Sequence, residues 1–206
     1  MGRPSRAAQW TGSAFALEAD GVAVTSRTLI NAAGAWGDQV ARWFGEQVPL
    51  APLMPNMLVT EPLPRLMDRS VGVCGGSVYV RQVERGNVVF GGGRGWGDVG
   101  LDRSRPLASV SQNAMGLACE VVPALAGALV IRTWTGIDGE TPDSLPVLGP
   151  SRTTPNLLHA FGFSGHGFQL GPGIGEILAE LAADGSTASP LAPFAVDRFT
   201  AGAKAA

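Results

Sequence analysis

Residues 156–185 constrain this chain more than any other stretch. They read Asn-Leu-Leu-His-Ala-Phe-Gly-Phe-Ser-Gly-His-Gly-Phe-Gln-Leu-Gly-Pro-Gly-Ile-Gly-Glu-Ile-Leu-Ala-Glu-Leu-Ala-Ala-Asp-Gly. The apolar run Leu157–Phe161 has the length of a strand, and Gly162, Gly165 and Gly167 then break it into a loop. The spacing predicts a helix behind the loop, with Pro172 near its start and Gly185 just past its end. Ile174, Ile177, Leu178 and Leu181 fall at i, i+3, i+4 and i+7, which predicts a single buried helical face. A strand, a glycine loop and a helix N-terminus in succession offer backbone N–H groups and a positive dipole end to an electron-rich ligand. This is the leading candidate for a cofactor site.

The rest of the composition narrows the class. A chain of 206 residues can bury a substantial core as one large domain or two small ones. The net charge of -2 points to neither nucleic acid nor an anionic membrane as partner. The 29 glycines carry no collagen period and suit many tight turns and close backbone approaches. Cys74 and Cys119 lack metal or disulfide spacing and read as ordinary thiols. Neither they nor His159 and His166 form a recognisable metal ligand set. With no signal peptide or long apolar span, a cytoplasmic protein without a membrane span is expected.

Along the chain, residues 1–13 are polar and turn-prone and are expected to be disordered. Phe15–Glu18 and Val22–Thr25 flank Ala-Asp-Gly, a hairpin signal. Leu29 to Gly34 reads as a buried strand ending in small residues, followed by a short helix with Trp36, Val40, Trp43 and Phe44 on one face. Met57–Thr60 is a strand, and Ser77–Val83 with Asn87–Gly91 forms a hairpin around Glu84-Arg85-Gly86. On its first arm, alternation puts Tyr79 and Arg81 on one face and Val78 and Val80 on the other. Leu107, Val110, Ala114, Leu117 and Val121 predict an amphipathic helix, and strands follow near Val130–Gly136 and Leu145–Leu148. The Ala-, Pro- and Ser-rich tail, 186–206, is expected to pack loosely. The fold class is α/β, with α+β mixing.

Two apparent motifs weaken on inspection. Gly95-Trp96-Gly97-Asp98-Val99-Gly100 matches G-x-G-x-x-G, but no helix opens on it and bulky residues intervene, so a glycine-rich hairpin exit is the better account. Gly162-Phe163-Ser164-Gly165-His166 lacks the second glycine spacing of a nucleophile elbow, and His166 is poorly placed to serve Ser164 as a base. His159 reads as a packing residue. The segment Trp134 to Asp143 interrupts an apolar strand with carboxylates at Asp138, Glu140 and Asp143; it reads equally as a solvated bulge or as the border of a cavity.

Three blocks together resemble the second half of the D-amino-acid-oxidase-like family of FAD-dependent oxidoreductases. They are Leu29-Ile30-Asn31-Ala32-Ala33-Gly34-Ala35-Trp36; Trp134-Thr135-Gly136 with Thr141-Pro142-Asp143 and Leu145-Pro146-Val147-Leu148-Gly149-Pro150; and Phe161 to Gln169. The resemblance implies part of an FAD-binding domain over 14–45 and 128–185 and an antiparallel-sheet substrate domain over 46–127. It implies that Ala32, Ala33, Gly34 and Trp36 lie near the FAD, with Phe163, Ser164, Gly165, His166, Gly167, Phe168 and Gln169 wrapping its pyrimidine end. Tyr79 matches a pocket tyrosine of glycine oxidase, so Tyr79, Arg81 and Gln169 are expected to line the substrate pocket. The family's N-terminal βαβ dinucleotide unit has no counterpart before residue 14. Where glycine oxidase has a carboxylate-binding arginine, this chain has Asp138, and Arg81 is the candidate substitute. The flavin-linking cysteine of sarcosine oxidases is absent, which implies non-covalent FAD. No side chain stands out as a general base.

The expected activity is hydride transfer from an amine or amino acid to flavin. The alternative is a catalytically incompetent fragment, or a subunit that needs a second chain carrying the Rossmann half.

Overall fold

The computed structural model of the protein describes residues 7–19 and 21–199. By internal contacts the chain forms two units, one of Met1–Pro52 with Asp138–Ala206 and one of Leu53–Ile137.

The first unit opens with β1 (Ala8–Trp10), β2 (Phe15–Ala19) and β3 (Val22–Ser26), an antiparallel sheet in that order. The expected β2–β3 hairpin is present; Asp20 in its turn lies outside the described residues. β1 departs from the disorder expected over 1–13, of which residues 1–6 lie outside the described residues. Ala8 is buried, and the Trp10 ring packs tilted against Phe15 at 4.7 Å, which in turn meets Phe44 edge-on at 5.7 Å. β4 (Leu29–Asn31) leads through a 3-10 turn, Gly34–Trp36, into α1 (Gly37–Trp43). α1 buries Gly37, Asp38 and Ala41 rather than the expected aromatic row, of which Phe44 alone is buried. The cause is Phe161: a side chain on Gly37 would overlap its ring, so α1 docks through its small residues. Asp38 pairs with Arg42 one turn on. β5 (Ala51–Leu53) follows.

The second unit holds β6 (Pro55–Pro62), β7 (Val71–Gly72), β8 (Tyr79–Gln82), β9 (Asn87–Arg94), β10 (Trp96–Asp98), β11 (Arg103–Arg105), α2 (Ala108–Val121) and β12 (Val130–Thr135). Its main sheet runs β12-β6-β9-β8-β7, antiparallel throughout. Leu58, Val78, Val80, Val88 and Phe90 pack under Ala114 and Ala118 of α2, which forms this unit's core. Tyr79 and Arg81 are exposed, as alternation predicts. Fully buried Asn56 tethers the start of α2: its Oδ1 accepts the Leu107 N–H at 3.2 Å and its Nδ2 donates to Ser111 Oγ at 3.1 Å. Gly95–Gly100 falls on the β10–β11 hairpin, with the Gly95 N–H donating to Met54 O at 2.8 Å. β12 pairs with β6, so residues 130–135 join this sheet rather than the part expected to hold 128–185.

The chain re-enters the first unit through β13 (Asp138–Glu140), which pairs with β5, then β14 (Val147–Pro150), β15 (Leu157–Phe161) and α3 (Gly167–Asp184). β14 starts two residues later than expected. β15 has the expected bounds, and all five of its residues are buried. It lies between antiparallel β14 and parallel β4. α3 ends on left-handed Gly185, whose N–H donates to Leu181 O at 3.1 Å. Ile174, Ile177, Leu178 and Leu181 share a face, yet no residue of α3 is buried, contrary to the buried face expected. The tail also differs from expectation as far as residue 199, with 200–206 lying outside the described residues. It carries the 3-10 turns Ala192–Phe194 and Val196–Phe199, and Val196 is buried with Ala41, Val48, Val147 and Phe161.

Candidate functional site

β4 and β15 are parallel neighbours, with Leu29 opposite Leu157 and Asn31 opposite His159. Their C-terminal ends therefore leave the sheet at one edge, the place where open α/β sheets hold ligands. The two segments leaving that edge are Ala32–Trp36 and Gly162–Gln169, the same two blocks singled out in the sequence. Gly34, Gly162, Ser164 and Gly165 all have φ between 52° and 88°. Ser164 pays for that conformation with about 1–2 kcal/mol of strain, and β13 holds it there. The Ser164 N–H donates to Gly139 O at 3.0 Å, the Thr141 N–H reaches Ser164 Oγ at 3.3 Å, and Glu140 bridges to Phe163. Asp138 completes the latch: its Oδ2 accepts the Gly165 N–H at 2.8 Å and its Oδ1 the Gly139 N–H at 2.7 Å.

The Gly165 N–H is thus already used within the protein, a point the sequence did not disclose. The donors that remain are the N–H groups of Gly167, Phe168 and Gln169, which open α3 and have no intrahelical acceptor. His166, Phe168 and Gln169 are exposed there, Phe168 to 91%. A positive helix end with three donors, beside backbone lacking Cβ atoms at Gly165 and Gly167, fits the electron-rich pyrimidine edge of a flavin.

A buried polar chain props this edge from beneath. His159, fully buried, lies 3.2 Å through Nδ1 from Asn31 Nδ2 and 2.7 Å through Nε2 from Glu46 Oε2. Asn31 Nδ2 also donates to Gly37 O at 2.8 Å, and its Oδ1 accepts the Ala33 N–H at 3.3 Å, fixing the turn after β4. Glu46 accepts the Arg152 N–H at 2.7 Å and Ser151 Oγ–H at 2.9 Å. Burial pushes the Glu46 carboxyl up, but the hydrogen bonds from His159, Arg152 and Ser151 outweigh it and hold the pKa below its ordinary value. His159 is a buried polar anchor rather than simple packing.

Tyr79 and Arg81 belong to the second unit, on the sheet face opposite α2. Tyr79 Oη–H points to Met57 Sδ at 3.4 Å. Burial raises the Tyr79 pKa, opposed by the Arg81 charge. Registry adds two residues to this face that sequence reasoning missed, Arg132 and Trp134. Trp134, Met57, Gly91 and Tyr79 form one cross-strand row, and Arg132, Val59, Val89 and Arg81 the next. A cavity of about 470 Å³ on the α2 side of the sheet, bordered by Leu58, Pro106, Ser111, Met115 and Val130, contains none of the expected site residues. Among the described residues no helix is long and apolar enough to cross a membrane, and no three metal-capable side chains gather.

Residues 4–181 match the model of the family described as FAD dependent oxidoreductase. The chain is 31% identical over 174 residues to the hydrogen cyanide synthase subunit HcnC of Pseudomonas aeruginosa, covering 84% of this chain and 40% of that protein. It is 35% identical over 129 residues to the sarcosine oxidase subunit beta of an Arthrobacter species, covering 61% and 30% respectively. The crystal structure of L-proline dehydrogenase from P. horikoshii superposes with a TM-score of 0.85 at 25% identity, over 97% of this chain and 54% of that one. The chain thus spans less than half the length of these curated relatives. On the strength of the match over residues 4–181, the chain belongs to the FAD dependent oxidoreductase family.

Proposed function

We propose that the chain is the flavin-edge and substrate-binding part of an oxidoreductase that oxidises an amine or amino acid. The observation that carries this reading is the pair of turns, Ala32–Trp36 and Gly162–Gln169, leaving one edge of the parallel β4–β15 pair. When bound non-covalently, FAD supplies the acceptor for a hydride from the carbon bearing the substrate nitrogen. The N–H groups of Gly167, Phe168 and Gln169 hold the pyrimidine edge, where the dipole of α3 favours negative charge. Ala32, Ala33, Gly34 and Trp36 line the same edge, with Phe163, Ser164, Gly165 and His166 forming the loop between. Within the second unit, Tyr79 and Arg81 contact the substrate, with Arg81 as its carboxylate anchor. In this reading 14–45 and most of 138–185 serve the cofactor, 53–137 serves the substrate, and the protein works in the cytoplasm.

A second reading is favoured by β4 being the outer strand of its sheet among the described residues. In it, the chain binds FAD only with a second chain that carries a dinucleotide-binding half. Both HcnC and the sarcosine oxidase relative are themselves named as subunits. Titrating the purified chain with FAD, following flavin fluorescence, separates the two. One tightly bound, acid-releasable FAD per chain supports the first reading. Binding only after a Rossmann-type chain is added supports the second. If neither preparation binds FAD, both fall.

A further inference from the structure

The substrate-face rows of the second unit carry an arrangement that the choice of Tyr79 and Arg81 does not exhaust. Arg132 and Arg81 occupy the two ends of one cross-strand row, Arg132-Val59-Val89-Arg81. Three interstrand gaps of about 4.8 Å put their Cα atoms roughly 14 Å apart. Neither row contains a carboxylate, and among the described residues neither guanidinium has an ion-pair partner.

Between the arginines the surface is apolar. Val59 and Val89 lie in the row itself, and Trp134, Met57, Gly91 and Tyr79 form the row beside it. Gly91 makes this floor possible. A Cβ there would fall 2.6 Å from Met57 Sδ and 3.2 Å from Tyr79 Cε1, so only glycine lets the tyrosine ring lie across β9 towards Met57. At the other end the Arg132 guanidinium lies 5.9 Å from the Trp134 ring centroid, turned over the sheet face. An apolar floor with a cation at each end matches an elongated molecule with an apolar middle and an anion at each end, because guanidinium engages carboxylate bidentately.

We propose that Arg81 and Arg132 together select an amino compound bearing two carboxylates, one held by each arginine. This rests on the reading of the face as the substrate side of an amine oxidoreductase. Arg132 is then a second anchor, not a replacement for Arg81.

The test uses glutarate and acetate as probes of the purified chain at constant ionic strength. The arginine Nε–H resonances are followed by NMR and assigned with Arg81→Lys and Arg132→Lys. Glutarate should shift both resonances and bind at least tenfold more tightly than acetate. Arg81→Gln and Arg132→Gln should each bring glutarate down to the affinity of acetate, in variants whose amide spectra remain those of the folded parent. Equal affinity for the two probes, or an Arg132→Gln variant that binds glutarate like the parent, overturns the proposal. The FAD titration on the same samples reads independently. Failure to bind FAD both alone and after a Rossmann-type chain is added removes the oxidoreductase reading and leaves the two-anion result standing on its own.

Discussion

Asp143 and Arg198, 55 residues apart, close a bidentate pair. Arg198 Nε donates to Asp143 Oδ2 at 2.8 Å and its Nη2 to Oδ1 at 3.1 Å, while Nη2 also reaches Leu145 O at 2.7 Å. The hydrogen bonds and charge of Arg198, helped by hydrogen bonds from the Leu145 N–H and Thr141 and opposed by burial, lower the Asp143 pKa from 3.8 to about 2. A carboxyl lowered on folding adds stability that is complete above its ordinary pKa and is lost as pH falls through the folded value. The Asp143 side chain is 37% exposed, so solvent screening limits the pair to about 1 kcal/mol or less. Asp143→Asn should therefore cost about that much at pH 7, with the gap to the parent shrinking between pH 4 and pH 2. Urea unfolding across that range is the check, and a gap independent of pH would count against the pair. This contact anchors a tail that composition alone suggested would pack loosely, because a single arginine's reach is invisible in a run of Ala, Pro and Ser.

Among the elements, the glycine loop shows how a flexible sequence becomes a fixed backbone. Gly162, Ser164 and Gly165 are held by β13 and the residue after it, through the Ser164 N–H to Gly139 O bond, the Thr141 N–H to Ser164 Oγ bond and the Asp138 carboxylate. A hydrogen bond to a charged acceptor contributes about 1.5–3 kcal/mol. Asp138→Ala should speed amide exchange at Gly165 by roughly ten- to a hundredfold, with exchange in β6 and β9 unchanged. Equal protection in the variant would remove Asp138 from the latch. β15 was readable residue by residue, since a five-residue apolar run ending in glycine has few alternatives to a buried strand. The helix behind it was readable as a helix, but its burial was not, since a periodic face says nothing about what covers it. The same limit applied to Arg132 and Trp134. Only the register of β12 on β6 sets them beside Tyr79 and Arg81, and pairing partners more than seventy residues away leave no local mark. Gly37 is a related case: its need to be glycine comes from Phe161, far along the chain.

At the scale of the molecule, the second unit is one continuous segment inserted between the two stretches of the first. It has its own sheet, its own covering helix, and a core of Leu58, Val78, Val80, Val88, Phe90, Ala114, Ala118 and Leu125. A segment with a closed core of this kind is expected to fold alone. A fragment of residues 53–137 should give a dispersed amide spectrum and unfold cooperatively; a collapsed, broad spectrum would show that its core depends on the rest of the chain. A division into two parts was legible from the family resemblance, and the chain does form two units. The boundary was not, because Val130–Thr135 looks equally suited to either sheet until its partner is known.

The insertion also sets an order of events during synthesis. Asn31 and His159, whose side chains meet beneath the two turns, are separated by 128 residues. At ribosomal rates of 5–20 residues per second, roughly 6–25 s pass between their appearances. Throughout that interval β4 has no β15 to pair with, and the inserted segment is completed before β15 appears. The edge carrying the turns Ala32–Trp36 and Gly162–Gln169 thus assembles after the inserted unit, and a nascent chain halted before residue 157 would hold that unit finished with β4 still lacking β15.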